Sequence, residues 1–146
     1  RVQLFSKFIY EQNLNQLKNL LAGKKLARKI SYHISCHQKH SIQADQASQE
    51  LLKIIAGENF AELPNADSCC GFAGSFSLDH PELSEALLSE KIASIKESGA
   101  EIVALDCPGC LLQIRGGCHK NNIAIRVRHT VEILADRFLK MDKSLG

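Results

Sequence analysis

The sequence predicts an α/β fold, with Rossmann-like layers in which a small, mostly parallel four-stranded sheet is flanked by helices. Three observations carry that reading. Segments of helical periodicity alternate with short strand-like segments, the arrangement of βαβ units joined by right-handed crossovers. Residues 101–106 (EIVALD) form an apolar run of the kind buried on both faces of a parallel sheet. Cys36, Cys69, Cys70, Cys107 and Cys110 each come after the carboxyl end of a predicted strand, the edge where open α/β sheets assemble their sites.

Phe5, Phe8, Ile9, Leu14, Leu17, Leu20 and Leu21 recur at helical intervals and predict a helix over 5–21 that Gly23 stops. The basic residues 24–28 read as a solvated connector. Residues 29–35 (KISYHIS) alternate and predict the first strand, with His33 packed in it or on its surface and Cys36 directly after it. Ala44, Ala47, Ser48, Leu51 and Ile55 form one stripe of a helix over 41–56, closed by Gly57. A short strand over 60–63 leads into a turn at Pro64, Asn65 and Asp67, and the turn into Cys69.

Residues 72–76 read as a loop beside the site. Asp79 and Glu82 have the spacing of a capping box, with Pro81 in the first turn. The helix they open runs to about residue 98, turns Leu88, Ile92 and Ile95 inward, and is followed by Gly99. After the strand at 101–106 come Cys107-Pro108-Gly109-Cys110 and a helical segment 111–115 ending near Gly116-Gly117. A fourth strand over 123–127 and a helix over 131–140, with Ile133, Leu134 and Phe138 as its apolar positions, complete the chain.

The 146 residues suit one domain, 1–146, with a helical lead-in over 1–23 and a motif-bearing region over 31–139. A chain of this length buries about 68–70% of its unfolded surface and needs no disulfide staple. A net charge of +2 gives no electrostatic footprint for nucleic acid or an anionic membrane. No apolar run approaches the roughly 18 residues of a membrane span. The first residue is Arg1, so the chain reads as an excerpt of a longer protein. Three disulfides fit poorly, because the thiols cluster in the sequence instead of spreading along it.

The thiol pattern is C-x32-C-C-G-x35-C-x2-C. Neighbouring side chains of an extended strand point to opposite faces, so Cys69 and Cys70 serve one site only if the backbone turns. Gly71 permits that turn and leaves room beside whatever the sulfurs hold. Cys107 and Cys110 share one face of a helix start, where free N–H groups and the positive helix end favour thiolate. Five thiolates at one edge suit an iron–sulfur cluster. An all-cysteine zinc site needs four and leaves one unexplained. A thioredoxin-like dithiol accounts for C-x2-C alone and ignores the other three cysteines. Cys118 lies outside the spacing and reads as a small buried apolar residue. His37, next to Cys36, and His129, ending a strand at the same edge, are candidates to touch the centre. His40, His80 and His119 read as exposed loop residues. Arg115 is placed either to neutralise charge on the centre or on the solvated surface.

The whole spacing resembles the cysteine-rich CCG domain of heterodisulfide reductases and related iron–sulfur oxidoreductases. Residues 69–77 (CCGFAGSFS), Pro81-Glu82-Leu83, 108–117 (PGCLLQIRGG) and 128–132 (RHTVE) look like the C-terminal copy in glycolate oxidase iron–sulfur proteins and lactate-utilisation proteins. The resemblance implies a C-terminal excerpt whose Cys36, Cys69, Cys70, Cys107 and Cys110 bind a [4Fe-4S] cluster, noncubane in the heterodisulfide reductase relatives; Gly71, His37 and His129 are read as close to it from their own positions in the sequence. Many glycolate- and lactate-type members lack the first cysteine of C-x2-C; this chain keeps it as Cys107.

The implied function is an electron-transfer domain of an oxidoreductase, with no complete active site in this chain alone. It relays electrons from a flavin-dependent 2-hydroxy acid dehydrogenase partner to a quinone or another acceptor. The implied partners are that flavoprotein and an N-terminal part with ferredoxin-like clusters. The implied setting is cytoplasmic, at the inner face of the membrane only through partners. Two alternatives stay open: a thiol/disulfide catalytic domain with a substrate cleft beside Cys69 and Cys70, and a zinc-binding structural or docking module. A cluster lost on isolation of the domain is compatible with the first reading.

Overall fold

A computed structural model describes residues 3–21, 26–42 and 44–142. Its sheet has three parallel strands, with β2 (Ile102–Leu105) between β1 (Ile30–Tyr32) and β3 (Arg126–His129). All four residues of β2 are buried, and they alternate between two cores. Ile102 and Ala104 join Leu17 of α1 (Phe5–Leu21), Leu51, Leu52 and Ile55 of α2 (Asp45–Ala56), and Ile133 and Leu134 of α6 (Thr130–Asp142). Val103 and Leu105 join Leu88, Ile92 and Ile95 of α4 (Pro81–Glu97), and Ile114 and Cys118 of α5 (Pro108–Lys120). The two-residue period of the strand thus assigns each helix to a core.

Among the described residues the sheet lacks the expected fourth strand. Residues 60–63 make one parallel bridge, Phe60 to Ile30, with the Ala61 N–H donated to the Ile30 carbonyl at 2.8 Å. Pro64 has no N–H to donate, and Asn65 takes a φ of 50°, so the chain leaves the ladder. It meets the end of β1 again at Ala66, whose carbonyl accepts the Ile34 N–H at 3.0 Å. That diversion also ends β1 before the expected residue 35. The last strand lies at Arg126–His129 and not at 123–127. Asn122, at φ 52°, turns the chain after α5, and the Ile123 N–H returns to the Cys118 carbonyl.

Helix α2 starts at Asp45 and not at residue 41, because a π-helical turn, Gln38–Ile42, precedes it. Gln38 is buried there and donates to Tyr32 Oη at 2.6 Å and Asp106 Oδ2 at 3.2 Å. Asp106 Oδ2 also accepts from Ser6 Oγ and Tyr32 Oη, both at 2.8 Å. Burial and the neighbouring Asp106 push the Tyr32 hydroxyl far above its ordinary pKa. In α1 this inward role falls to Ser6 and Leu17, while Phe5 and Phe8, expected on the apolar face, are exposed. Gly23 and Lys24 lie outside the described residues, as do the side chains of Leu20, Leu21 and Phe138.

The capping box does not form. Residues 76–79, split between the expected loop and the expected cap, fold as a short helix, α3 (Phe76–Asp79), which takes Asp79 into its own last turn. His80 becomes the N-cap of α4 with no side-chain cap bond, and Pro81 stands first in the helix as expected. Gly116 and Gly117 do not stop α5, which runs on to Lys120. A Cβ on Gly117 would lie 2.8 Å from Leu88 Cδ2 and 2.9 Å from Ile92 Cδ1, so the missing side chain lets α5 close on α4.

Candidate metal centre

Three chain segments meet at the carboxyl edge of the sheet. The first leaves β1 through His33, Ser35 and Cys36. The second is the turn Cys69-Cys70-Gly71. The third is the first turn of α5, with Cys107 at its N-cap and Cys110 one turn on. Between them lies a cavity of about 180 Å³ lined by all five of these cysteines, His33, Phe72, Ala73 and Gly74. A larger cavity of about 330 Å³ touches Ile102 and Arg126, the first residues of β2 and β3, and has Arg28, Arg128 and Arg137 but no cysteine in its lining.

Cys70 and Cys110 are buried, Cys69 and Cys107 half-buried and Cys36 exposed, and all are free thiols. The Sγ atoms of Cys70 and Cys110 are 3.0 Å apart. The Gly71 N–H donates to Cys69 Sγ at 3.3 Å. Gly71 itself has φ 86°, and a Cβ there would sit 2.4 Å from the Ser84 carbonyl oxygen. The room it leaves is therefore taken by α4 and not by the cavity. Ser84 Oγ in turn donates to the Gly71 carbonyl at 2.8 Å, which fixes the turn to α4. An ion pair between Lys39 and Asp67 joins the segment after Cys36 to the one before Cys69, and Lys39 holds the Asp67 carboxyl below its ordinary pKa.

The thiols divide into acids and a donor. Cys107 is pulled down to about 5, first by the Cys110 S–H and then by the N–H groups of Cys110 and Gly109, against the effect of burial. Cys70 is lowered by the Cys110 S–H, with burial opposing and His33 assisting. Cys110 is raised because it donates to both and is buried beside them. At the positive end of α5 the site thus favours thiolate at Cys70 and Cys107 and keeps a proton on Cys110. A cation entering it replaces that proton.

His33 adds a nitrogen. It is 1% exposed, and its Nδ1 lies 3.1 Å from the Ala66 carbonyl oxygen, the arrangement of an N–H donor. Its Nε2 is buried with no hydrogen-bond partner among the described residues. Ligand atoms of His33, Cys70 and Cys110 lie within 4.8 Å of one another. A buried nitrogen lacking a partner, beside a set of thiols, is the donor chemistry of a soft metal or an iron–sulfur cluster, so these residues fit such a group.

Of the other residues singled out by sequence, His37 is exposed and outside the cavity lining. His129 ends β3 at the same edge but also stands outside that lining; its Nε2 lies 3.1 Å from the Asp106 carbonyl oxygen and its Nδ1 accepts the Val131 N–H. It supports the residue before Cys107. Arg115 donates twice to the Val127 carbonyl, at 2.8 and 3.2 Å, and lies 3.7 Å from Glu132. It ties α5 to β3. His40, His80 and His119 are exposed. Cys118 is buried in the core under α5, and burial raises its thiol pKa.

Sequence reasoning placed His33 in or on a strand and passed over Lys91. Lys91 is 1% exposed, and its Nζ donates to the Asn65 and Ala66 carbonyls at 2.7 and 3.4 Å. Burial lowers its pKa to about 8, although the nearby Cys70 thiolate and Asp67 carboxylate pull it upward. A cation is thus held directly behind the cysteine turn. Its signal was available: Lys91 falls on the inward stripe of Leu88, Ile92 and Ile95. Among the described residues, no helix is long and apolar enough to cross a membrane.

The family model of the cysteine-rich CCG domain matches residues 30–115, a span holding all five cavity cysteines and ending before Cys118. Lactate utilization protein A of Bacillus licheniformis is 37% identical over 125 residues, which is 85% of this chain and 52% of the relative. Lactate utilization protein A 1 of Bacillus mycoides is 38% identical over 113 residues, 77% of this chain and 46% of the relative. Lactate utilization protein A of Lysinibacillus sphaericus is 34% identical over 130 residues, 89% and 55% of the two chains. The chain spans about half the length of the curated relatives it matches. With its cysteine pattern gathered on one cavity and the family model matched over that region, this chain belongs to the cysteine-rich CCG domain family.

Proposed function

We propose that this chain is an iron–sulfur electron-transfer domain of a lactate-oxidising system. The observation that carries the reading is the meeting of five thiols and a histidine on one cavity of about 180 Å³. That volume is below the roughly 300–1,000 Å³ of cavities that enclose drug-sized ligands, which favours a compact inorganic group over an organic substrate at the cysteines. The relatives' printed name supplies the lactate connection.

Cys36, Cys69, Cys70, Cys107 and Cys110 are the residues to hold the cluster, [4Fe-4S] in type. Such a cluster accepts and gives single electrons. The rest of the task falls to the chain. The Gly71 N–H bonds the Cys69 sulfur, the α5 N-terminus and Lys91 offset negative charge, and Phe72 and the buried edge of the sheet keep water away. Cys36, exposed at the rim, marks the side from which a carrier approaches. In this proposal electrons arrive from a flavoprotein that oxidises a 2-hydroxy acid, pass through ferredoxin-like clusters in a further part of the parent protein, and leave to a quinone or other acceptor. The setting proposed is the cytoplasm, with membrane contact only through partners.

The test is iron and acid-labile sulfide content after anaerobic reconstitution, with wild type beside Cys70→Ser. Iron and sulfide in roughly equal amounts, lost in the variant, is the expected result. Zinc without sulfide overturns it and installs a second reading, a zinc-held structural module, which the closeness of His33, Cys70 and Cys110 favours.

A further inference from the structure

We propose that His33 Nε2 is itself a ligand of the centre, so that the site is a mixed nitrogen–sulfur one and not purely thiolate. The inference rests on the reading that the cavity holds a metal or cluster. Three features of this chain lead to it. The Ala66 carbonyl accepts a hydrogen bond from Nδ1 at 3.1 Å, which in the neutral ring leaves the lone pair on Nε2. That nitrogen is buried and has no partner among the described residues. Ligand atoms of His33, Cys70 and Cys110 lie within 4.8 Å of one another, close enough for one ion to touch all three.

The Cys70 and Cys110 sulfurs are 3.0 Å apart and share a hydrogen bond. A cation set between the buried Nε2 and these sulfurs satisfies all of them together. Metal-bound histidines characteristically give their other N–H to a carbonyl or carboxylate, and Ala66 provides it. The same carbonyl accepts the Ile34 N–H at 3.0 Å and lies 3.4 Å from Lys91 Nζ, so its position is fixed from three sides. Replacing thiolate by neutral imidazole removes negative charge from a cluster and raises its potential.

The experiment labels the histidines with ¹⁵N, reconstitutes the protein with iron and sulfide, and records pulsed EPR in whichever oxidation state is paramagnetic. A ¹⁵N coupling of the size given by a directly bound imidazole is expected in wild type, and its loss is expected in His33→Leu. His33→Cys, which keeps a ligand, retains iron and loses the nitrogen signal. Iron and sulfide present without that coupling overturn the inference and leave the cluster reading standing. If no iron binds, the cluster reading falls first and cobalt(II) serves as the probe. A d–d spectrum that changes between wild type and His33→Leu upholds the histidine ligand, and an unchanged spectrum, or no cobalt binding, refutes it.

Discussion

Cys70 and Cys110, 40 positions apart in the chain, hold their Sγ atoms 3.0 Å apart at the buried wall of the cavity. Cys118 is as buried as Cys110 but belongs to the core beneath α5. The two sites separate by substitution. Cys110→Ser abolishes metal retention after reconstitution. Cys118→Ser keeps the metal stoichiometry and lowers stability by about 1–2 kcal/mol, the cost of a buried hydroxyl with no partner. Metal analysis beside urea denaturation reads both, and equal metal loss in the two variants contradicts the assignment.

Cys107 supplies a pH signature. Its thiol is lowered to about 5, so in the reduced, metal-free protein it is thiolate above that pH and protonated below it. Alkylation by iodoacetamide, followed by peptide mass spectrometry, rises through about pH 5 at Cys107. Cys118, with its thiol raised by burial, stays unmodified across the neutral range. An alkylation midpoint near the ordinary thiol value of about 8.5 for Cys107 rules out the arrangement at the α5 N-terminus.

Lys91 makes stability depend on pH in a defined direction. Its pKa falls from 10.5 to about 8 on folding, so between those values the unfolded chain binds more protons than the folded one. Its contribution therefore rises with pH from about 8 to 10.5, and below about 8 the burial cost is present in full. The whole rise is roughly 3 kcal/mol at 1.4 kcal/mol per unit. Denaturation of the metal-free protein at a series of pH values, with Lys91→Met as reference, isolates it. A difference curve flat between pH 8 and 10.5 removes the buried lysine from the account.

The two glycine contacts differ in kind, and their variants are expected to rank accordingly. Gly71→Ala meets the Ser84 carbonyl, a rigid backbone atom 2.4 Å away, at a φ of 86°. The left-handed strain alone costs about 1–2 kcal/mol, and the clash adds to it. Gly117→Ala meets the methyl tips of Leu88 and Ile92, which can shift, at an overpacking cost of about 1–3 kcal/mol. Chemical denaturation should put Gly71→Ala lower, and only Gly71→Ala should also lose metal.

The sequence was most informative where a side-chain type and its spacing define a site by themselves. Cys36, Cys107 and Cys110 were legible because thiols after strand ends have one place to go in a parallel sheet, and Cys69 and Cys70, which follow no strand, were legible from the C-C-G spacing. Ile102–Leu105 was legible because its apolar run has no polar face. Legibility failed where tertiary contacts decide. Carrying the first strand to residue 35 put His33 among strand residues, whereas β1 ends at Tyr32 and His33 stands at the site. Gly116 and Gly117 read as a stop because glycine ends many helices, but here close approach to α4 sets the requirement. The strand at 60–63 reduced to one bridge because Pro64 and Asn65 divert the chain. The turn before α2 is shaped by the long-range bonds of Gln38 to Tyr32 and Asp106, which no local pattern announces.

The register of the sheet also sets an order of events during synthesis. Ile30 pairs with Ile102, so β1 waits without a strand partner until β2 has been made. A nascent chain that has reached Cys70 carries Cys36 and the cysteine turn but no sheet to bring them to α5. Closing so long a loop is entropically costly, and non-local parallel pairing is slow. Assembly of the cavity thus comes late in folding, after β2 and the first turn of α5 have been made, and the five cysteines share one cavity only then.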